Sequence, residues 1–168
     1  MTGNTGGQVV KHNGDGQMAK RDRGFWVLQI LGWFLLVYLI YAQAIPAIDY
    51  ELGVAMGTQE SAEQITAVGV AFWYGFAFGD LVVYIPILLA GLLGLCLSRR
   101  WGQVLMSAAL GITIYWPCVS LTAVVKARNA PGWDIGDETA YWIVLPLISF
   151  WALWGLWQLA KGDRFLAH

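Results

Sequence analysis

The chain has 168 residues, of which 58% are hydrophobic and 12% charged, and its formal net charge is −1. Soluble proteins carry roughly 25% charged residues, so this composition excludes an aqueous globular domain and calls for lipid as the main solvent. Ten basic against eleven acidic residues give no electropositive surface for nucleic acid, and the length suits one domain of four membrane spans.

Residues 1–23 are polar and glycine-rich, with Gly3, Gly6, Gly7, Gly14 and Gly16, and finish on Lys20, Arg21 and Arg23. Such a stretch cannot bury enough apolar surface to order itself and reads as a flexible tail. A four-helix transmembrane domain is expected over 24–161. Its first span, about 25–44, has Gln29 and Gln43 as its strongly polar members and closes at Pro46. About 20 helical residues rise roughly 30 Å, the thickness of the hydrocarbon layer. The run starts only at Phe25 and has no small-x-small cleavage pattern, so it reads as an anchor rather than a removed signal peptide.

The stretch 46–65 carries Asp49, Glu51, Glu60 and Glu63 without a lysine or arginine, and reads as a solvated acidic loop. The apolar run that follows, 66–97, is too long for one upright helix, since about 32 residues would extend roughly 48 Å. The second span is taken as about 68–97; either this helix tilts and projects, or its first part, 68–78, forms a separate or re-entrant segment. Gly75 and Gly79 at four-residue spacing predict a close helix approach, and Pro86 predicts a kink.

After the basic turn Ser98-Arg99-Arg100, the third span runs over about 103–125 and includes Tyr115-Trp116-Pro117-Cys118. The next loop opens on Lys126 and Arg128 and continues through Trp133, Asp134, Asp137 and Glu138; the Trp133-Asp134 turn is expected to rest on the membrane surface. The fourth span, about 139–160, contains Pro146 and a broad Trp151, Trp154 and Trp157 face that reads as packing. A short tail, 162–168, completes the chain. The fold class is therefore all-α: a bundle of four kinked transmembrane helices. The tail before the first span, the Arg99-Arg100 turn and the C-terminal tail are basic, whereas the two remaining loops are acidic or mixed. Lysine and arginine are retained on the cytoplasmic side, so both termini are expected there. Compactness and the lack of targeting motifs point to a multi-pass protein of a bacterial or archaeal plasma (inner) membrane.

One charge interrupts the apolar runs. Asp80 lies in Gly79-Asp80-Leu81-Val82-Val83-Tyr84-Ile85-Pro86, and an unpaired carboxylate in hydrocarbon costs several kcal/mol, which makes it a candidate functional group. Counting about 1.5 Å per residue from the cytoplasmic ends puts Asp80 about 26 Å up its helix, level with Gln43, Thr122 and Trp142. Tyr38, Tyr84 and Cys118 lie a turn below, with Tyr115 and Trp116 slightly deeper. A span starting at Thr66 moves Asp80 to mid-membrane. On one reading this layer is structural: aromatic anchors at the interface, with Asp80 bonded to tyrosines or reaching Lys126. On the other it lines a pocket open to the outer leaflet, with Tyr38, Gln43, Trp73, Asp80, Tyr84, Tyr115, Trp116, Thr122, Lys126 and Trp142 as ligand-binding residues.

His12 and His168 are the two histidines and both lie in the polar ends, so no span offers imidazole to haem or chlorophyll, and no cofactor is predicted. No His/Cys cluster suits a metal, and no catalytic triad or phosphate-cradling glycine loop occurs. Cys96 and Cys118 stand too far apart in depth to bridge. The leading expectation is a non-catalytic bundle that binds a lipophilic small molecule, or docks as an accessory subunit on a membrane-protein partner or a second copy. An alternative is a small membrane enzyme in which Asp80 is the general acid or base on a lipid-like substrate, with Tyr84 and Tyr115 assisting. A third is a proton or ion pathway, which with one intramembrane acid and no inverted repeat needs an oligomer.

Overall fold

A computed structural model describes residues 23–161, so the tails expected at 1–23 and 162–168 lie, Arg23 apart, outside the described residues. Helices account for nearly all of the regular structure there. Four are long and apolar enough to cross a membrane: α1 (Arg23–Ile48), α3 (Ala62–Cys96), α4 (Arg100–Ala127) and α5 (Thr139–Ala160). A short helix, α2 (Tyr50–Ala55), lies between α1 and α3. The exposed faces of the long helices carry large apolar groups such as Phe34, 71% exposed, and Phe150, 70% exposed. A continuous surface of that kind is stable in hydrocarbon and not in water.

The end where Arg23, Arg99, Arg100 and Lys161 gather is the basic end, and there the bundle is tight. Gly91, Gly94 and Gly102 bring α3 and α4 into backbone contact: a Cβ on Gly94 would stand 2.4 Å from the Gly102 Cα, and one on Gly91 2.8 Å from the Met106 nitrogen. Without side chains in the way, two helices gain dispersion contact along their backbones. Leu28, Leu88, Leu92, Leu95, Met106 and Leu110 fill the remaining space. Gln29 is the polar peg between α1 and α3. Its Nε2 donates to the Leu92 carbonyl (3.1 Å), while its Oε1 accepts from the Trp33 indole (3.1 Å) and the Cys96 thiol (3.4 Å). No disulfide joins Cys96 to Cys118. Gly75 and Gly79 do not serve as a contact: nothing lies within 4 Å of a Cβ placed on either. The close approach expected there falls at the other glycines, because α4 meets α3 below Pro86 and leaves its upper half open.

Both α1 and α3 widen before a proline. Residues Ile40–Ala44 and Asp80–Tyr84 form single π-turns, each followed by an Ile-Pro pair, Ile45-Pro46 and Ile85-Pro86. The proline ring cannot donate a hydrogen bond and crowds the carbonyl four residues back, so the preceding turn opens to i→i−5 bonds, Ile45 N to Ile40 O and Ile85 N to Asp80 O. The two π-turns touch one another.

Residues 68–78 form no separate segment: beyond a break at Thr66 the main body of α3 continues to Cys96 and still rises about 45 Å, so one helix carries the excess length. Thr66 has φ 67° and ψ 163°, a region that side chains disfavour, and it splits a first turn from the main body of α3. That first turn is closed by Ser61, whose backbone N donates to the Gln64 side chain (2.9 Å). Ahead of it, the Asp49 carboxylate caps α2 by accepting from Leu52 N (3.0 Å). The loop between α4 and α5 folds over the break: Asp134 N donates to the Gln64 carbonyl (2.6 Å), and Trp133 and Ile135 pack on Ile65 and Val124. Trp133 is thus half-buried, covering apolar surface beside the break at Thr66.

Candidate functional site

A cavity of about 660 Å³ lies at the acidic end of the bundle, walled by α1, α3, α4, α5 and the chain between α2 and α3. Trp73 and Phe76 come from α3, Trp116 and Ser120 from α4, Tyr38, Tyr41 and Gln43 from α1, and Tyr141 and Val144 from α5. The aromatic wall is continuous: the Trp73 ring lies 6.5 Å from that of Tyr141 and 6.0 Å from that of Phe76. Gln43 is buried within the wall.

Three wall residues carry buried polar atoms that have no hydrogen-bond partner among the described residues: the indole nitrogens of Trp73 and Trp116 and the hydroxyl of Ser120. Trp73 is 7% exposed and Ser120 0%. Buried polar groups are nearly always paired, so three unpaired ones around a single space require an explanation.

The mouth of the cavity is acidic. Glu60 and Asp137 line it, and among the described residues no lysine or arginine does. Glu60 is half-buried. Its carboxylate accepts the Tyr141 hydroxyl, and its backbone carbonyl accepts the Tyr50 hydroxyl (3.0 Å). Burial, then the Glu60 and Glu51 charges, pushes the Tyr50 phenol up to about 12. The solvated acidic loop expected for Glu60 is thus, at this residue, a phenol-bonded carboxylate in the cavity wall. The ion pair among the described residues is Arg128 with Glu138, so Glu60 has no cation beside it.

Two further spaces adjoin this cavity. An apolar crevice of about 590 Å³ runs between α1 and α5, lined by Leu31, Phe34, Leu35, Leu147, Phe150 and Trp151. Tyr38 and Val144 belong to both spaces. The crevice is stopped toward the basic end where Leu28 meets Gly155, the position at which a Cβ would stand 3.0 Å from the Leu28 Cδ1. On the other side, Phe76 and Trp116 also line a groove of about 580 Å³ between α3 and α4, over Gly75 and Gly79.

Asp80 sits in that groove, 5% exposed, with its Oδ2 unpartnered among the described residues. Tyr84, one turn on, is buried beside it. Thr113 donates its single hydroxyl proton to the Ala109 carbonyl (2.8 Å), so in the 2.5 Å contact between them Tyr84 must be the donor. The Tyr84 proton is therefore committed to Thr113, away from Asp80.

The residues expected to form one layer divide into three sets. Tyr38, Gln43, Trp73 and Trp116 line the cavity; Asp80, Tyr84, Tyr115 and again Trp116 line the groove. Thr122, Lys126 and Trp142 line neither: Thr122 bonds back to the Cys118 carbonyl (2.7 Å), Trp142 donates to Glu138 (3.0 Å), and Lys126 is exposed. Ser120 and Tyr141 are not among the residues expected from the sequence, where Glu60 reads as part of a solvated acidic loop. For Ser120 a signal existed, because Thr113 and Ser120 are seven residues apart and so share a helix face.

The chain matches no protein-family model, no curated protein and no solved structure.

Proposed function

We propose that this is a multi-pass plasma-membrane protein that holds a lipophilic molecule by its polar end, with both termini cytoplasmic. The orientation is supported by the charges at the two ends of the bundle: Arg23, Arg99, Arg100 and Lys161 at one, and at the other Asp49, Glu51, Glu60, Glu63, Asp134, Asp137 and Glu138 against Lys126 and Arg128. The cavity then opens toward the outer leaflet. One observation carries the ligand reading: the unpaired polar atoms of Trp73, Trp116 and Ser120 all belong to the wall of a single cavity. A bound polar group supplies the missing partners, and the crevice between α1 and α5 gives an apolar body a place beside it.

The test is purification in a mild nonionic detergent followed by native mass spectrometry and analysis of extracted lipids. A molecule retained in stoichiometric amount, and lost from the Trp73→Phe/Ser120→Ala double variant while its helical circular dichroism stays intact, is the expected result. Protein that carries nothing beyond detergent overturns the reading.

Acid–base chemistry at Asp80 is favoured by a different observation, a buried carboxylate oxygen without a partner beside an open groove. On that reading Asp80→Asn folds normally and loses turnover of a lipid-like substrate. A fully active Asp80→Asn protein removes it.

A further inference from the structure

Resting on the cavity as a ligand site, we infer that its ligand is a cationic amphiphile. An amine or quaternary ammonium head lies among Glu60, Tyr141, Tyr38 and Trp73, an acceptor oxygen faces the donors deeper in, and the apolar tail runs into the crevice between α1 and α5.

The sign of the head follows from the mouth. Both charged side chains that line the cavity, Glu60 and Asp137, are acidic, and the nearby guanidinium of Arg128 is taken by Glu138. Glu60 is half-buried, so its charge is screened less than that of a free surface acid. Its neighbours are phenols: Tyr141, which donates to its carboxylate, and Tyr50, which donates to its backbone carbonyl, with the Trp73 ring next to that of Tyr141. A carboxylate in a wall of aromatic rings suits a weakly hydrated cation, through its charge and through the negative faces of the rings that line the cavity. An anion there would meet two carboxylates and no positive side chain.

The acceptor oxygen follows from the depth of the wall. Indole nitrogens donate and cannot accept, so the Trp73 and Trp116 N–H groups ask for an oxygen with lone pairs, such as an ester or amide carbonyl. The tail follows from the crevice. It joins the cavity at Tyr38 and Val144, is lined by aliphatic and aromatic side chains, and from Leu31 to Tyr38 covers about 10 Å of helix rise.

Lauroylcholine carries these three features, and its 3,3-dimethylbutyl laurate counterpart keeps the shape and ester but lacks the charge. Isothermal titration of each into the full chain in nonionic micelles tests the inference. The expected result is saturable binding of lauroylcholine about tenfold tighter than of the neutral ester, a difference that Glu60→Gln abolishes and Glu60→Asp retains. Equal affinity for both probes overturns the cationic class while leaving a lipophilic ligand in place. Selectivity that survives Glu60→Gln in folded protein overturns the position of the head. Saturable binding of neither probe overturns the class, and the retained-lipid measurement above then decides the underlying reading separately.

Discussion

Gln59, in the loop after α2, donates its side-chain amide to the carbonyl of Ala42 in α1 across 2.9 Å. That carbonyl stands four residues before Pro46, which has no N–H to give it. A residue 17 positions away thus completes a helix that its own sequence leaves short of a donor, and at the same time fixes the loop that brings Glu60 to the cavity. Gln59→Leu removes the donor without adding bulk and is expected to cost about 1–3 kcal/mol, the desolvation penalty of a part-buried carbonyl. In a Pro46→Ala background the helix supplies an N–H of its own, so the same substitution should cost less. Unfolding in mixed micelles of the single and double variants measures the coupling; equal costs in both backgrounds contradict this role.

The glycines separate into two classes with opposite expectations. Gly94→Ala and Gly102→Ala drive a methyl group into the facing backbone, where 2.4 Å or less is left for it. Overpacking of that kind typically costs about 1–3 kcal/mol, and here the backbone must move because no flexible side chain can yield. Gly75→Ala and Gly79→Ala meet open space, and alanine is the better helix former by about 1 kcal/mol, so these variants should match or exceed the parent. Thermal melts of the four single variants in one detergent check the contrast. A destabilising Gly79→Ala would mean that a neighbour occupies the groove.

What the sequence made legible was whatever depends on local runs. The four apolar stretches, the charge asymmetry of their flanks and the buried acid needed only composition and length. Rotation of the helices about their axes was hidden. α5 is apolar all round, so no stripe marks its inner face, and Tyr141 rather than its neighbour Trp142 lines the cavity. Depth was hidden as well, because each π-turn inserts a residue and turns everything above it, separating Asp80 from the Tyr38 and Gln43 set. The Glu60–Tyr141 contact spans 81 residues and leaves no local trace.

Asp80 offers a stability prediction that does not need a substrate. A carboxylate that is 5% exposed with an unpartnered oxygen is disfavoured in the folded bundle relative to a neutral amide of the same shape. Asp80→Asn should therefore raise the melting temperature, while Asp80→Ala, which opens space against Tyr84, should gain less. This is the pattern of a group kept for its chemistry at the expense of stability. A lower melting temperature for Asp80→Asn, at a pH where the acid would be ionised in water, would instead show that the carboxylate has a stabilising partner.

The loop that closes the cavity has its own pH dependence, with a sign set by Glu138. The Arg128 guanidinium and then the Trp142 indole hold its carboxyl below the usual glutamate range. Thr139 likewise holds Asp137 below its usual value. For an acid whose folded pKa is depressed, the stabilisation is complete above the unfolded value and is lost as pH falls through the folded one. The pair should therefore contribute in full near neutrality and fade below about pH 4.3, the ordinary glutamate value. Glu138→Gln never ionises, so the melting temperatures of parent and variant should differ at pH 7 and converge in acid. The Arg128 partner is exposed, which makes the difference small and reduces it further in salt. A gap that widens on acidification would contradict the role given to the Glu138 carboxylate.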